Sequence, residues 1–501
     1  MSLIKKIIVI LILLTFLLLP AFSIAQELEK RLLESGKTFL KEGKYQLALE
    51  DFNTLIRNSR DSPYADDAQL LIAKFYLEIE EDYDRAMEEF NKLIKEFAGT
   101  DSAEAAYFYI GYVNLTNGET QEEFNEALAN FERIARLYPQ SQWVDNALLN
   151  SALSYERLKD YTRAIEKLDT LMAEYPEFEH ITRAYLLKAC FDVYLGNYHS
   201  ALLELQELRN NYPDNPDANK ALNMLTLLYR LTVKPKVRNE PLYHYDADFK
   251  LKMVENIKNA KSVIINNQRE IFVADGNRDA VLQFSPEGNY KQQFFIKDPQ
   301  SIFLDKNNKL ITNNKKGILV ENRFSNLMVK TEKGPKEVEE AMIVFKDSYS
   351  RYVVADKKSK QLLYFDKNFK YLFSISNAFF REFTDVAIDS KDQIWVLEKR
   401  DKSIQQFNLK GKTLHKIMSR GKGYEFEEPV DIAVDICDNL YVLDKKQKKI
   451  FIFSPLYNLL GIFSLTDSSG SQLDKPLLIA VDEAGGLYVF DDKVKNLLRY
   501  F

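Results

Sequence analysis

The chain has 501 residues, 46% of them hydrophobic and 28% charged, with 17 glycines, 14 prolines and a formal net charge of −6. That balance excludes a disordered tail, a collagen and a polytopic membrane protein, and the length calls for two or more cores. Two cysteines, Cys190 and Cys437, exclude a disulfide scaffold and a Cys-based zinc module, and four histidines leave little for a His-rich metal site.

Lys5 and Lys6 precede an apolar run from Ile7 to Leu19, and Pro20 and the small-residue site Ser23-Ile24-Ala25 follow it. A basic start, a short apolar stretch and a small-x-small end predict a signal peptide over 1–25. The run is shorter than the ~20 residues that span a bilayer. An uncleaved anchor is the alternative. No cysteine follows the cleavage site, so lipid attachment of the bacterial lipoprotein type is not expected. The two cysteines, far apart in sequence, are expected to be buried apolar residues rather than a bridge.

A phrase then repeats. Gly43-Lys44-Tyr45 leads to Ala48 and Phe52; Asp82-Tyr83 to Ala86 and Phe90; Glu123-Phe124 to Ala127 and Phe131. Asp160-Tyr161 leads to Ala164 and Leu168, and Asn197-Tyr198 to Ala201 and Leu205. Aromatic, alanine and large apolar residue fall on one helical face, and the alanine lets a neighbouring helix approach. Tyr138-Pro139, Tyr175-Pro176 and Tyr212-Pro213 stop the second helix of a pair, because proline has no N–H and disfavours α-conformation in the residue before it. A second alanine set (Ala68, Ala106, Ala147, Ala184, Ala221) opens the following helices, and 221–232 reads as an unpaired cap. The third copy departs from the pattern, with Asn117 to Glu122 lengthening its turn. These residues resemble the tetratricopeptide repeat of bacterial envelope proteins over 27–232. The resemblance implies an α-solenoid, five helix pairs plus the cap across 26–232, with a peptide-binding groove. Val233 to Pro241, with two prolines and three basic residues, reads as a linker.

From residue 260 the period switches to strands. Polar residues close successive apolar runs in pairs nine apart: Asn266/Asp275, Asp305/Asn314, Asp347/Asp356, Asp389/Glu398, Asp435/Asp444 and Asp482/Asp491. Phe284, Phe365, Phe407, Phe453 and Tyr500 follow nine further on; the second unit has Arg323 there, beside Phe324. A four-stranded unit at this spacing is a propeller blade, and six units predict a six-bladed β-propeller over 242–501. A seventh blade hidden in 320–340 is the alternative. Pro429 to Asp435 and Leu440 to Asp444 resemble NHL repeats, of which this chain would be a divergent member. The last unit ends at Phe501, one strand short. Residues 249–254 are expected to supply that strand and remove the exposed edge.

The halves differ in charge: 22 basic against 37 acidic residues in 26–232, and 44 against 37 in 233–501. The basic excess gathers after strand b of the blades, at Arg278, Lys357, Lys358, Lys360, Lys399, Arg400, Lys402, Lys445, Lys446, Lys448, Lys449, Lys493 and Lys495. On one face these form a basic rim suited to an acidic protein or anionic glycan, more than to nucleic acid in an exported protein; solvated turn tips are the plainer reading. The recurrent Asp, Asn and Glu positions read as turn formers rather than metal ligands. No catalytic residue, metal or cofactor is expected, and Trp143 and Trp395 read as core. The expectation is a non-catalytic envelope scaffold, periplasmic or secreted, with a protein or peptide in the helical groove. The alternatives are a propeller enzyme of lyase or lactonase type with a docking domain, and an anionic-polysaccharide-binding or export-associated protein.

Overall fold

The structure is a computed structural model that describes residues 26–118, 120–234, 241–253, 256–305, 307–321, 323–376, 382–466 and 470–501. The expected signal peptide and most of the expected linker lie outside these residues. The chain divides into two compact units, Met1–Leu195 and Gly196–Phe501. The last helix pair therefore groups with the strands, whereas the sequence placed the division after residue 232.

The described residues of the first unit form nine helices: α1 (26–41), α2 (Tyr45–Asn58), α3 (Ala65–Glu78), α4 (Tyr83–Glu96), α5 (Asp101–Asn117), α6 (Gln121–Leu137), α7 (Val144–Arg157), α8 (Tyr161–Glu174) and α9 (Ile181–Leu195). Two more helices, α10 (Tyr198–Asn211) and α11 (Pro216–Leu228), open the second unit. All ten repeat alanines are fully buried. The helices end where proline requires: the C-caps Tyr138, Tyr175 and Tyr212 have left the α region, with ψ of 57°, 56° and 54°. The long turn of the third copy is closed by a capping box in which Thr120 and Glu123 bond each other's backbone N–H. The final helix begins at Pro216, capped by Asn215, and continues as a π-helical turn over Tyr229–Val233, so it is longer than the expected 221–232.

The second unit holds six blades, strands lettered a to d in chain order. Blade 1 is Ala260–Ile265, Ile271–Asp275, Ala280–Phe284 and Tyr290–Phe295; blade 2 is Ser301–Leu304, Leu310–Asn313, Gly317–Val320 and Arg323–Asn326. Blade 3 is Ala341–Lys346, Tyr352–Asp356, Gln361–Phe365 and Tyr371–Ser376; blade 4 is Phe383–Ile388, Ile394–Glu398, Ser403–Phe407 and Thr413–Ile417. Blade 5 is Pro429–Val434, Leu440–Asp444, Lys449–Phe453 and Leu459–Ser464, and blade 6 is Pro476–Val481, Leu487–Asp491 and Asn496–Tyr500. Strand b of most blades is buried at every position, as its unbroken apolar run requires, and strand d is half exposed. Segment 320–340 supplies strand d of blade 2 and a two-stranded hairpin (Met328–Thr331 with Gly334–Glu337), not a seventh blade.

Blade 2 breaks the aromatic spacing because its strand c is short. Val320 sits opposite Ile311, Arg323 already belongs to strand d, and Phe324 is exposed. The polar pairs form turns. Asp389 Oδ1 accepts from the backbone of Lys391 and Gln393, Asp435 from Cys437 and Asn439, and Asp482 from Ala484 and Gly486. In five of the six pairs the second member clasps the loop that leads into strand a of its own blade: Asp444 accepts from the N–H groups of Glu427 and Glu428, and from Gln447 in its own turn.

Ring closure differs from the expected 249–254, of which Val254 lies outside the described residues. His244 and Phe501 exchange backbone bonds of 2.9 and 3.0 Å, and Asp246 N–H donates to Arg499 O at 2.9 Å. The missing fourth strand is thus supplied around Tyr245, which bridges Tyr500. Within the same unit α11 lies on the a–b turn of blade 6. The Arg230 guanidinium donates to the carbonyl of Gly485 and sits over the Tyr243 ring, and Asn223 reaches Glu483.

Candidate functional site

Strand a of all six blades lines a central channel of about 520 Å³. In five blades a β-bulge follows the first residue of that strand. A bulge re-aims the next side chain, and the residues after it, Ser262, Ile343, Asp385, Asp431 and Leu478, line the channel. Four side chains at this level hold the neighbouring blade by its backbone. Ser262 Oγ accepts from Ile302 N–H (3.3 Å), Ser301 Oγ from Val344 (2.9 Å), Asp385 Oδ2 from Ile432 (2.9 Å) and Asp431 Oδ2 from Ile479 (2.6 Å). Ile343 and Leu478 leave the series apolar in blades 3 and 6.

Asp385 and Asp431 also meet each other. Burial pushes Asp385 up to about 6. Burial, and then the Asp385 charge, raise Asp431 well above the ordinary carboxylate range. Two carboxyls that cannot both ionise cheaply share a proton, and they titrate as a pair. The sequence did not single out either residue; both stand four positions before the polar residue that ends strand a, a spacing legible only once the bulge is known.

Deeper in blade 4, burial raises Asp389 to about 7, where Trp395 Nε1 and Gln406 Nε2 donate to its second oxygen. Trp395 is therefore core, as read from sequence. Trp143 packs against Phe108 at 4.7 Å. His415 lies in strand d of blade 4, stacked 3.4 Å from the Tyr457 ring. Cys437 is buried and Cys190 half-buried, and the two are not bridged, so the apolar reading holds fully only for Cys437.

The thirteen rim cations sit where strand b turns into strand c, in five of the six blades. Lys357, Lys358 and Lys360 belong to blade 3; Lys399, Arg400 and Lys402 to blade 4; Lys445, Lys446, Lys448 and Lys449 to blade 5; Lys493 and Lys495 to blade 6; Arg278 to blade 1. Many of them face carboxylates from the loop that leads into strand a of the same blade. Lys358 pairs with Glu339, Lys399 with Glu382 (3.2 Å), Lys446 with Glu427 (2.9 Å), Lys445 with Glu428 (3.8 Å) and Lys493 with Asp474. Blade 2 adds Lys316 with Glu337 (2.9 Å) and Lys315 with Asp298 (3.2 Å), cations that sequence reading missed. The signal was present: Lys399 and Glu382 are 17 residues apart and Lys493 and Asp474 are 19 apart, which is the length of strands a and b with their turn. At five of the thirteen positions the rim is thus an ionic collar of paired charges.

Among the described residues, three carboxylates approach as a metal site would. Asp66, Asp67 and Asp101 bring oxygens within 4.8 Å of one another at the N-termini of α3 and α5. Ser102 Oγ already donates to Asp67, and burial raises the Asp66 carboxyl.

The helical repeats and the six blades define a tetratricopeptide-repeat array followed by a six-bladed β-propeller. Family comparisons agree. Residues 33–101 match a family model described as a tetratricopeptide repeat, and residues 381–493 match one described as a 6-bladed beta-propeller. Residues 116–193 match a family model described as an outer membrane lipoprotein. No curated protein matches the chain. Solved structures similar to it include a streptogramin B lyase (8% identity, TM-score 0.37, 52% of this chain and 97% of that one). A virginiamycin B lyase from Staphylococcus aureus is 10% identical, with TM-score 0.35 over 52% of this chain and 88% of that one. A tetratricopeptide repeat protein from Parabacteroides merdae is 14% identical, with TM-score 0.33 over 40% of this chain and 73% of that one. Likeness at this level says nothing about activity. No helix among the described residues is long and apolar enough to cross a membrane.

Proposed function

We propose that this chain is an exported, non-catalytic scaffold of the bacterial cell envelope. Its helical repeats hold a protein or peptide, and its propeller holds an acidic protein or anionic glycan. The observation that carries the reading is the match of 116–193 to an outer membrane lipoprotein family, inside a helical array joined to a propeller. The leader-like segment 1–25 supports export. The collar suits an anionic partner because exposed ion pairs contribute little stability, so an incoming acid replaces the internal one at small cost.

Two measurements test this. The mature protein should be recovered from the envelope fraction with its N-terminus after Ala25; an N-terminus at Met1 would make it membrane-anchored, and recovery from cytosol would end the proposal. A photo-crosslinker placed on the exposed ring of Tyr112 in α5 should trap one defined envelope protein, lost when the helical repeats are destabilised.

The alternative is a propeller enzyme of lyase or lactonase type, and the protonated pair Asp385 and Asp431 in the channel favours it as an acid/base couple. That reading requires turnover that Asp385→Asn abolishes without lowering the melting temperature.

A further inference from the structure

Ring closure leaves a cleft beside blade 1. After pairing with the last strand, the chain crosses to blade 1. Leu251 N–H donates to Asn496 Oδ1 at 3.0 Å and Lys252 N–H to Gly288 O at 2.8 Å. Gly288 has φ +83°, and a Cβ there would lie 2.3 Å from Lys250 O, so only glycine lets the crossing segment come this close. The adjacent residues Leu251 and Lys252 tie the segment to blade 6 and to blade 1. Between it and the outer strand of blade 1 lies an open cleft of about 800 Å³.

The cleft gathers three cations, Lys250, Lys252 and Arg278, with the amides of Asn256 and Gln293 and the ring of Tyr290. Buried Asp275, 3.5 Å from Arg278 Nε, orients that guanidinium. Among the described residues neither Lys250 nor Lys252 forms an ion pair, unlike many of the collar lysines. The positive field is felt nearby: the Glu287 carboxyl is held below its ordinary value, first by the Ser285 hydroxyl and then with help from the Arg499 and Lys252 charges. Tyr290 is 43% exposed although it lies in a strand.

Each part selects a chemistry. Cations at this density call for carboxylate or sulfate groups. Side-chain amides exchange hydrogen bonds with hydroxyls in both senses. An exposed aromatic face suits the polarised C–H face of a sugar ring. The volume falls within the range of clefts that hold a compact ligand, roughly two or three sugar rings. An acidic polysaccharide satisfies all of these at once, whereas an acidic peptide has no use for the ring. Resting on the reading of the propeller as an anion-binding module, we infer that this cleft binds uronate-type polysaccharide: carboxylates on Lys250, Lys252 and Arg278, one ring on Tyr290, hydroxyls on Gln293 and Asn256.

The test is calorimetric titration of the full chain with an oligogalacturonate, a neutral oligogalactose of equal length and a poly-glutamate peptide. Oligogalacturonate should bind and the neutral oligomer should not. Lys250→Gln with Lys252→Gln, both at exposed positions, should weaken binding at least tenfold and flatten its salt dependence. Tyr290→Ala should weaken it several-fold. The collar variant Lys445→Glu with Lys446→Glu should leave it unchanged. Failure of oligogalacturonate to bind, or equal binding of the neutral oligomer, overturns the inference. So does poly-glutamate binding as tightly with no effect of Tyr290→Ala. Loss of binding in the collar variant alone also overturns the cleft, while leaving the propeller as an anion-binding module intact.

Discussion

Replacing Asp431 with asparagine should stabilise the propeller at neutral pH and do little in acid. Asp385 and Asp431 face each other across blades 4 and 5, and each already accepts a backbone N–H from the next blade. A carboxyl raised in the folded state favours its protonated form there. Its contribution is present below the unfolded value near 3.8 and is lost as pH rises through about 6. The cost removed is that of Asp431, raised by burial and then by the Asp385 charge, and leaving a buried polar group uncompensated costs about 1–3 kcal/mol. Water in the channel screens part of this, leaving about 1–2 kcal/mol. In Asp431→Asn the amide oxygen keeps the Ile479 N–H and the amide nitrogen can donate to Asp385, so the like-charge conflict disappears. Thermal unfolding of parent and variant at pH 4.5 and 7.5 measures it. The variant should melt roughly 2 to 6 °C higher at pH 7.5 and close to the parent at pH 4.5. Asp389 and Asp435, both raised to about 7 by burial, add to the same acid-side stability but cancel in the comparison. A variant less stable than the parent at pH 7.5, or an equal difference at both pH values, would refute the shared proton.

Gly111→Ala in α5 places a methyl 2.7 Å from the Phe131 ring and 3.1 Å from Ala127 O. Overpacking of about 1–3 kcal/mol should exceed the helix-propensity gain of about 1 kcal/mol, so the helical unit should lose stability in chemical denaturation. Ala164→Trp fills a fully buried contact in α8 and should cost at least as much; an unchanged melting curve would place Ala164 on a surface. A fragment of 196–501 should unfold cooperatively, and one starting at Lys258 should not. The shorter fragment lacks the His244 and Asp246 bonds to the last strand and leaves that edge open. Equal folding of both fragments would show that closure contributes nothing. Glu382→Lys, which removes the partner of Lys399, should change stability by less than about 1 kcal/mol while steepening the salt dependence of binding to an acidic ligand.

The local order of this chain was legible because its signals are short-range and repeated. An alanine at a fixed step from an aromatic can serve only a close helix contact, and all ten such alanines are buried. A proline fixes the end of a helix through its neighbour's backbone, so the Tyr138, Tyr175 and Tyr212 caps were readable one dipeptide at a time. The nine-residue polar pairs marked turns, since Asp and Asn bond the N–H groups two and four residues on. Features that join residues distant in sequence were not readable. The sequence pointed to 249–254 as the strand that closes the ring, whereas the segment around Tyr245 is the one that pairs with residues 499–501. The channel pair Asp385 and Asp431 depends on bulges that turn a side chain inward, and alternation alone cannot show a bulge. The rim lysines stood out as charge, but the carboxylates opposite them come from another loop, so only the folded blade turned a row of cations into ion pairs. The sequence determined which strands and helices form, through backbone preferences acting within a few residues. The tertiary structure decided which charges meet, because an electrostatic partner is chosen by distance in space and not by position along the chain.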